Sequence, residues 1–124
     1  MTLERPEIER PAGAPPAELE VTEISLGDGP EAKAGDTVSV HYVGVSHSTG
    51  EEFDASWNRG EPLRFPLGQG RVIPGWDRGV AGMRVGGRRK LVIPPELAYG
   101  DRGAGGKIKP GETLVFVVDL VGVN

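Results

Sequence analysis

Glycine and proline punctuate this chain too densely for long helices: 20 Gly and 11 Pro are spread over 124 residues. Glycine readily enters left-handed turn conformations, whereas proline fixes its own φ and offers no N–H, so both tend to end regular elements. The pattern predicts short strands joined by turns. A chain of this length fits one compact domain that buries roughly two-thirds of its unfolded surface.

Residues 1–18 hold Pro6, Pro11, Pro15 and Pro16, several charges, and only Leu3 and Ile8 as large apolar side chains before Glu18. Such a composition predicts a flexible N-terminal tail, with the domain spanning 19–124 and retaining its activity and stability if the tail is removed. Order is expected from Leu19. Glu20–Leu26 mixes β-branched and apolar residues and stops at the turn cluster Gly27-Asp28-Gly29-Pro30. In Thr37–Val45, the alternate residues Val38, Val40, Tyr42 and Gly44 share one face of a strand. Further strand-like pieces are Glu51–Asp54, Leu63–Leu67, Lys90–Ile93 and Thr113–Val121. Only Pro74–Ala81 reads as helical, with proline in the first turn, Asp77 near the positive end of the dipole and Gly82 as the stop. Its internal Gly75 and Gly79 make it a poor helix alone, so tertiary packing must hold it. The expected architecture is α+β: an antiparallel sheet of about five strands packed over one short helix.

Composition removes several functional classes. The chain has no cysteine, hence no disulfide framework, thiolate nucleophile or thiolate-bound zinc. Its 14 basic and 18 acidic residues give a net charge of −4 with the signs interspersed, unlike the one-sided basic surplus of a nucleic-acid binder. The run Arg88-Arg89-Lys90 reads as the solvated side of a strand. Neither a secretory leader nor an apolar run of about 20 residues is visible, so the expectation is a cytoplasmic protein without membrane contact. His41 and His47 lack the spacing of a metal pair, and no metal or cofactor is expected. Gly105-Gly106-Lys107 is followed by Ile108, where a phosphate loop requires Ser or Thr.

What remains is an apolar and aromatic set interrupted by a few polar groups. Tyr42, Phe53, Phe65, Val72, Ile73, Trp76, Ile108 and Phe116 make up the apolar part, joined by Asp54 and Tyr99. Any one of these could simply be core. Together, the blocks His41-Tyr42-Val43-Gly44, Phe53-Asp54, Val72-Ile73-Pro74-Gly75-Trp76, Ala98-Tyr99-Gly100 and Thr113-Leu114-Val115-Phe116 are similar, in order and separation, to the signature of FKBP-type prolyl isomerases. The resemblance runs from about Leu19 to the C-terminus.

That resemblance implies a curved sheet wrapped around the helix, with a ligand pocket between them. It implies Trp76 as the floor beneath a proline ring, and Tyr42, Phe53, Val72, Ile73 and Phe116 as walls. The Ile73 N–H and the Tyr99 hydroxyl would donate to peptide carbonyls, while Asp54 at the rim would be held by Tyr42 and Arg59. Trp76, Asp54, Tyr99 and Phe116 would carry the catalysis; Leu63, Phe65 and Ile108 join the substrate contacts. Three positions depart from the usual family pattern: Leu63 in place of an aromatic, Ala104 of a histidine and Lys107 of an apolar residue. Wall contacts, and with them sequence preference or drug affinity, should shift accordingly. The implied partners are proline-containing polypeptides and macrolides such as tacrolimus or rapamycin, and the implied state is a monomer. A non-catalytic proline-peptide binding module or a folding chaperone is the rival reading.

Overall fold

A computed structural model of the chain describes residues 4–9, 11, 13–103 and 108–124; Ala104 and Lys107 lie outside that set. Among the described residues the strands are β1 (Glu20–Ser25), β2 (Thr37–Ser46), β3 (Glu52–Ala55), β4 (Leu63–Pro66), β5 (Arg88–Ile93) and β6 (Leu114–Val123), and the single α-helix is α1 (Pro74–Val80). All strands pair antiparallel in the order β1-β5-β6-β2-β3. The sheet has six strands rather than about five because β3 and β4 share one edge of β2, β4 pairing Thr37–Val40 and β3 pairing Val43–Val45. Register shifts leave Ile24 of β1, Phe53 of β3 and Val121 of β6 as extra residues, bulges that bend a strand and increase its twist.

The period of two in β2 and β6 sorts their side chains. Val38, Val40 and Tyr42 meet Leu114, Phe116, Val118 and Leu120 in one cluster with Trp76 and Val80 of α1. Helix and sheet approach closely at two glycines. A Cβ on Gly75 would stand 2.5 Å from Ile93, and one on Gly79 would stand 2.7 Å from Leu91. The residues that weaken α1 in isolation are therefore the ones that let it lie against β5. Two short 3₁₀ turns, Ser56–Arg59 and Pro95–Leu97, add to the helical content.

The C-terminal end of the helix is held from elsewhere in the fold. Gly82 does adopt a positive φ of 89°, but its N–H donates to the Ala32 carbonyl instead of returning to α1. The carbonyls of Gly79 and Ala81 accept from Arg89 Nη1 at 3.0 and 2.9 Å. Arg89 also pairs with Glu23 on β1, and Arg88 with Asp119 on β6. Of the basic run, Lys90 alone is exposed; the two arginines tie elements together.

The opposite face of the sheet is apolar too. Val43, Val45, Val115 and Val117 lie outside the Trp76 cluster yet are only 3%, 4%, 1% and 5% exposed. They stand as cross-strand neighbours, Val43 by Val117 and Val45 by Val115. Described residues of the N-terminal segment border this face. The Glu4 carbonyl accepts from Arg88, Arg5 reaches Glu52 and Asn58, Pro6 is buried, and Pro11, Ala14 and Pro16 border a groove with Val92 and Val115.

Candidate active site

The cavity between α1 and the sheet has a volume of about 190 Å³. Its base is the indole of Trp76, which Pro74 and the close helix–sheet contact bring over β2 and β6. Tyr42 and Phe116 meet that indole edge-on, with ring centroids 4.8 and 5.2 Å away. Phe53 stands perpendicular to Phe116 at 5.5 Å. Edge-to-face geometry of this kind contributes about 0.5–1.5 kcal/mol per pair beyond burial, and it fixes ring orientation. Gly44 makes the wall possible: a Cβ there would fall 2.6 Å from the Phe116 ring and 2.7 Å from that of Phe53. Leu63, Val72 and Ile73 complete the apolar lining.

One rim of the cavity is a hydrogen-bonded triangle. The Tyr42 hydroxyl donates to Asp54 Oδ2 at 2.6 Å, and Arg59 donates to the Tyr42 oxygen at 2.8 Å and to Asp54 Oδ1 at 3.0 Å. Arg59 hangs from the 3₁₀ turn that begins at Ser56. The wholly buried Ser56 hydroxyl accepts from the Tyr42 N–H at 2.7 Å and meets His41 Nδ1 at 2.8 Å, pinning that turn to β2. Tyr99 also lines the cavity. It is 40% exposed, and among the described residues its hydroxyl has no hydrogen-bond partner.

Tyr42, Asp54, Arg59 and Tyr99 are each pushed away from neutrality. Burial raises the Tyr99 pKa, helped by the charge of Asp54. Burial likewise raises Tyr42, reinforced by its bond to Asp54 and partly offset by Arg59. For Asp54, burial alone would favour the neutral acid, but the bonds from Tyr42 and Arg59 and the guanidinium charge together hold its pKa below the ordinary value. Arg59 is raised by its bonds to Tyr42 and Asp54. Both histidines lie elsewhere, His41 stacked on Trp57 at 4.3 Å and His47 by the N-terminal groove.

Turnover is therefore expected to be flat between about pH 6 and 8, with kcat/KM against pH as the measurement. A bell centred near neutrality would reveal an acid–base pair that these groups do not form. The depressed Asp54 pKa also fixes a sign for stability. Its contribution is complete above the unfolded value of about 3.9 and is lost as pH falls through the lower folded value.

Tyr42, Phe53, Asp54, Leu63, Val72, Ile73, Trp76, Tyr99 and Phe116 are thus gathered around one cavity. Arg59 stands behind the lining as the clamp on Asp54. Phe65 packs against Trp76 with ring centroids 5.7 Å apart, and Ile108 is buried in the main cluster. One lining residue escaped the sequence reading: Arg71, an exposed cation in a turn, which no periodicity or composition rule marks. Its only signal was its place immediately before Val72-Ile73.

An aromatic cup with a clamped carboxylate and a phenol unengaged among the described residues suits isomerases that turn a proline amide by binding it, without making or breaking covalent bonds. The chain belongs to the FKBP-type peptidyl-prolyl cis–trans isomerase family, whose sequence pattern matches residues 29–121, and it is itself a peptidyl-prolyl isomerase of the small form. It is 69% identical to an FK506-binding protein of Streptomyces anulatus, over 99% of this chain and 100% of that protein. The peptidyl-prolyl cis–trans isomerase FPR2 of Saccharomyces cerevisiae is 57% identical over 76% of this chain and 70% of its own length. Among solved structures, AtFKBP13 superposes with a TM-score of 0.80 at 44% identity, covering 89% of this chain and 96% of that one.

Proposed function

We propose that the Xaa–Pro bond rotates in the cavity above Trp76, with the proline ring laid on the indole and enclosed by Tyr42, Phe53 and Phe116. The observation that supports this most is the pair of rings set edge-on to the Trp76 indole in a cavity that Tyr99 also lines. The amide barrier of about 18–20 kcal/mol comes from C–N resonance. An apolar cup strips water from the amide and so disfavours the planar, charge-separated form relative to the twisted one. In this reading the Ile73 N–H and the Tyr99 hydroxyl donate to carbonyls flanking the bond, holding the peptide while the amide turns. Asp54 stays ionised at the rim, its charge shared with Tyr42 and Arg59. The same cavity is proposed to take macrolides such as tacrolimus or rapamycin, a reading supported by relatives named FK506-binding proteins. The proposed setting is a monomer in the cytoplasm; sedimentation of the purified chain and cell fractionation check those two points.

Tyr99→Phe isolates the donor because it keeps the ring. A neutral hydrogen bond is worth about 0.5–1.5 kcal/mol net, so kcat/KM and macrolide affinity should fall by roughly 2- to 12-fold while the melting temperature holds. Unchanged kinetics with a lowered melting temperature would make Tyr99 an anchor of its loop instead.

A further inference from the structure

Charge at the cavity mouth is unbalanced. Among the described residues, Asp54 and Arg71 are the charged ones in its lining. Asp54 is already matched by Arg59 at 3.0 Å and accepts from Tyr42. Arg71 has no ion pair or hydrogen bond among the described residues. The nearest carboxylate along its own segment, Asp77, is committed elsewhere: its two oxygens accept from the N–H groups of Gly68 and Gly70 at 2.8 and 3.1 Å. Those bonds, with the positive φ of 69° at Gly70, fix the turn from which Arg71 leaves. A pinned turn therefore presents an exposed, unmatched guanidinium beside an apolar cup, on a chain whose net charge is −4.

We infer that Arg71 sets substrate preference, selecting proline segments that carry a carboxylate side chain within two residues of the proline and rejecting those with lysine or arginine there. This rests on the cavity over Trp76 being the peptide site. The distance limit follows from reach. A guanidinium stands about 6–7 Å from its own backbone, and an extended peptide advances about 3.3–3.6 Å per residue. Guanidinium and carboxylate also match as a two-pronged hydrogen-bonded pair, a geometry that lysine cannot copy. At an exposed mouth the pair is worth about 0.2–1 kcal/mol, or roughly threefold in kcat/KM, with a similar penalty for a like charge. Acidic and basic peptides should then differ by on the order of tenfold.

The test measures kcat/KM for proline peptides bearing Glu, Leu or Lys at each of the two positions on either side of the proline, with Leu as the reference. In the intact chain the Glu-to-Lys ratio at the preferred position should be about ten, and it should shrink in high salt. It should approach one in Arg71→Ala and invert in Arg71→Glu. A ratio near one in the intact chain, or the same ratio in Arg71→Ala, overturns the assignment. Trp76→Phe, measured on the Leu peptide, separates this from failure of the site itself. If that variant binds and turns over normally, the cup is not the peptide site and the role of Arg71 falls with it. If Trp76→Phe is impaired while the charge ratio ignores Arg71, only the role of Arg71 falls.

Discussion

Trp76→Ala is expected to have the largest effect of any single substitution in the pocket, on stability and on ligand binding together. The indole is 4% exposed and touches Tyr42, Phe65 and Phe116 through their rings. Truncating a buried tryptophan leaves a cavity as well as losing contact, a loss of about 3–5 kcal/mol. Against a total stability of about 5–15 kcal/mol, the variant stands close to unfolding, so Trp76→Phe is the companion experiment. The indole Nε1 is buried without a hydrogen-bond partner among the described residues. Removing it relieves an unpaired donor, which itself costs about 1–3 kcal/mol, so Phe should fold with a smaller penalty while presenting a narrower floor. Urea midpoints and macrolide affinity check both variants. Normal affinity in a folded Trp76 variant would remove Trp76 as the floor. The chain's second tryptophan, Trp57, stacks on His41 outside the cavity; in a Trp57→Phe background, ligand binding should appear as a change in Trp76 emission alone.

Deleting residues 1–18 is expected to lower the melting temperature markedly while sparing catalysis. Composition alone pointed to a dispensable tail, and the contacts of Glu4, Arg5 and Pro6 with the sheet point the other way. Without the segment, Val92 and Val115 lose Pro11, Ala14 and Pro16 as neighbours, and the Arg88 and Glu52 contacts are lost with it. Uncovering about 100 Å² of apolar surface costs about 2.5 kcal/mol at 25 cal/mol per Å², and each kcal/mol is worth about 4–8 °C in a domain of about this size. A fall of roughly 10–20 °C follows. The pocket lies on the opposite face of the sheet, so kcat/KM below the new transition should be near that of the intact chain. An unchanged melting temperature would restore the mobile-tail reading.

The site's ingredients were legible because each left a local mark. Tyr42 sits in a strand whose alternation is plain, Trp76 follows a proline suited to a first helical turn, and the ordered blocks around them carry the family resemblance. Arg71 left no such mark. A polar residue in a turn is what any exposed loop contains, and only its position at the mouth, with the nearby acids already engaged, gives it meaning. Phe65 and Ile108 show the opposite ambiguity: an aromatic or aliphatic residue reads alike whether it faces the cavity or the core behind it.

From the sequence by itself came the strand and helix positions, the α+β class, the family resemblance and the absence of cysteine chemistry, since spacing and residue type encode which faces are apolar and where the chain must turn. What lies against each face is a matter of long-range pairing, and that was decided only in three dimensions. Gly75 and Gly79 read as weak helix residues until Ile93 and Leu91 are found against them. Arg89 reads as a solvated cation until it meets the open carbonyls of Gly79 and Ala81. The valines on the outer face of β2 and β6 look like half of a fully buried strand pair, but nothing local says that a proline-rich segment well upstream of β2 would border that face. Its local pattern is that of a disordered chain, because the apolar surface that holds it belongs to other strands.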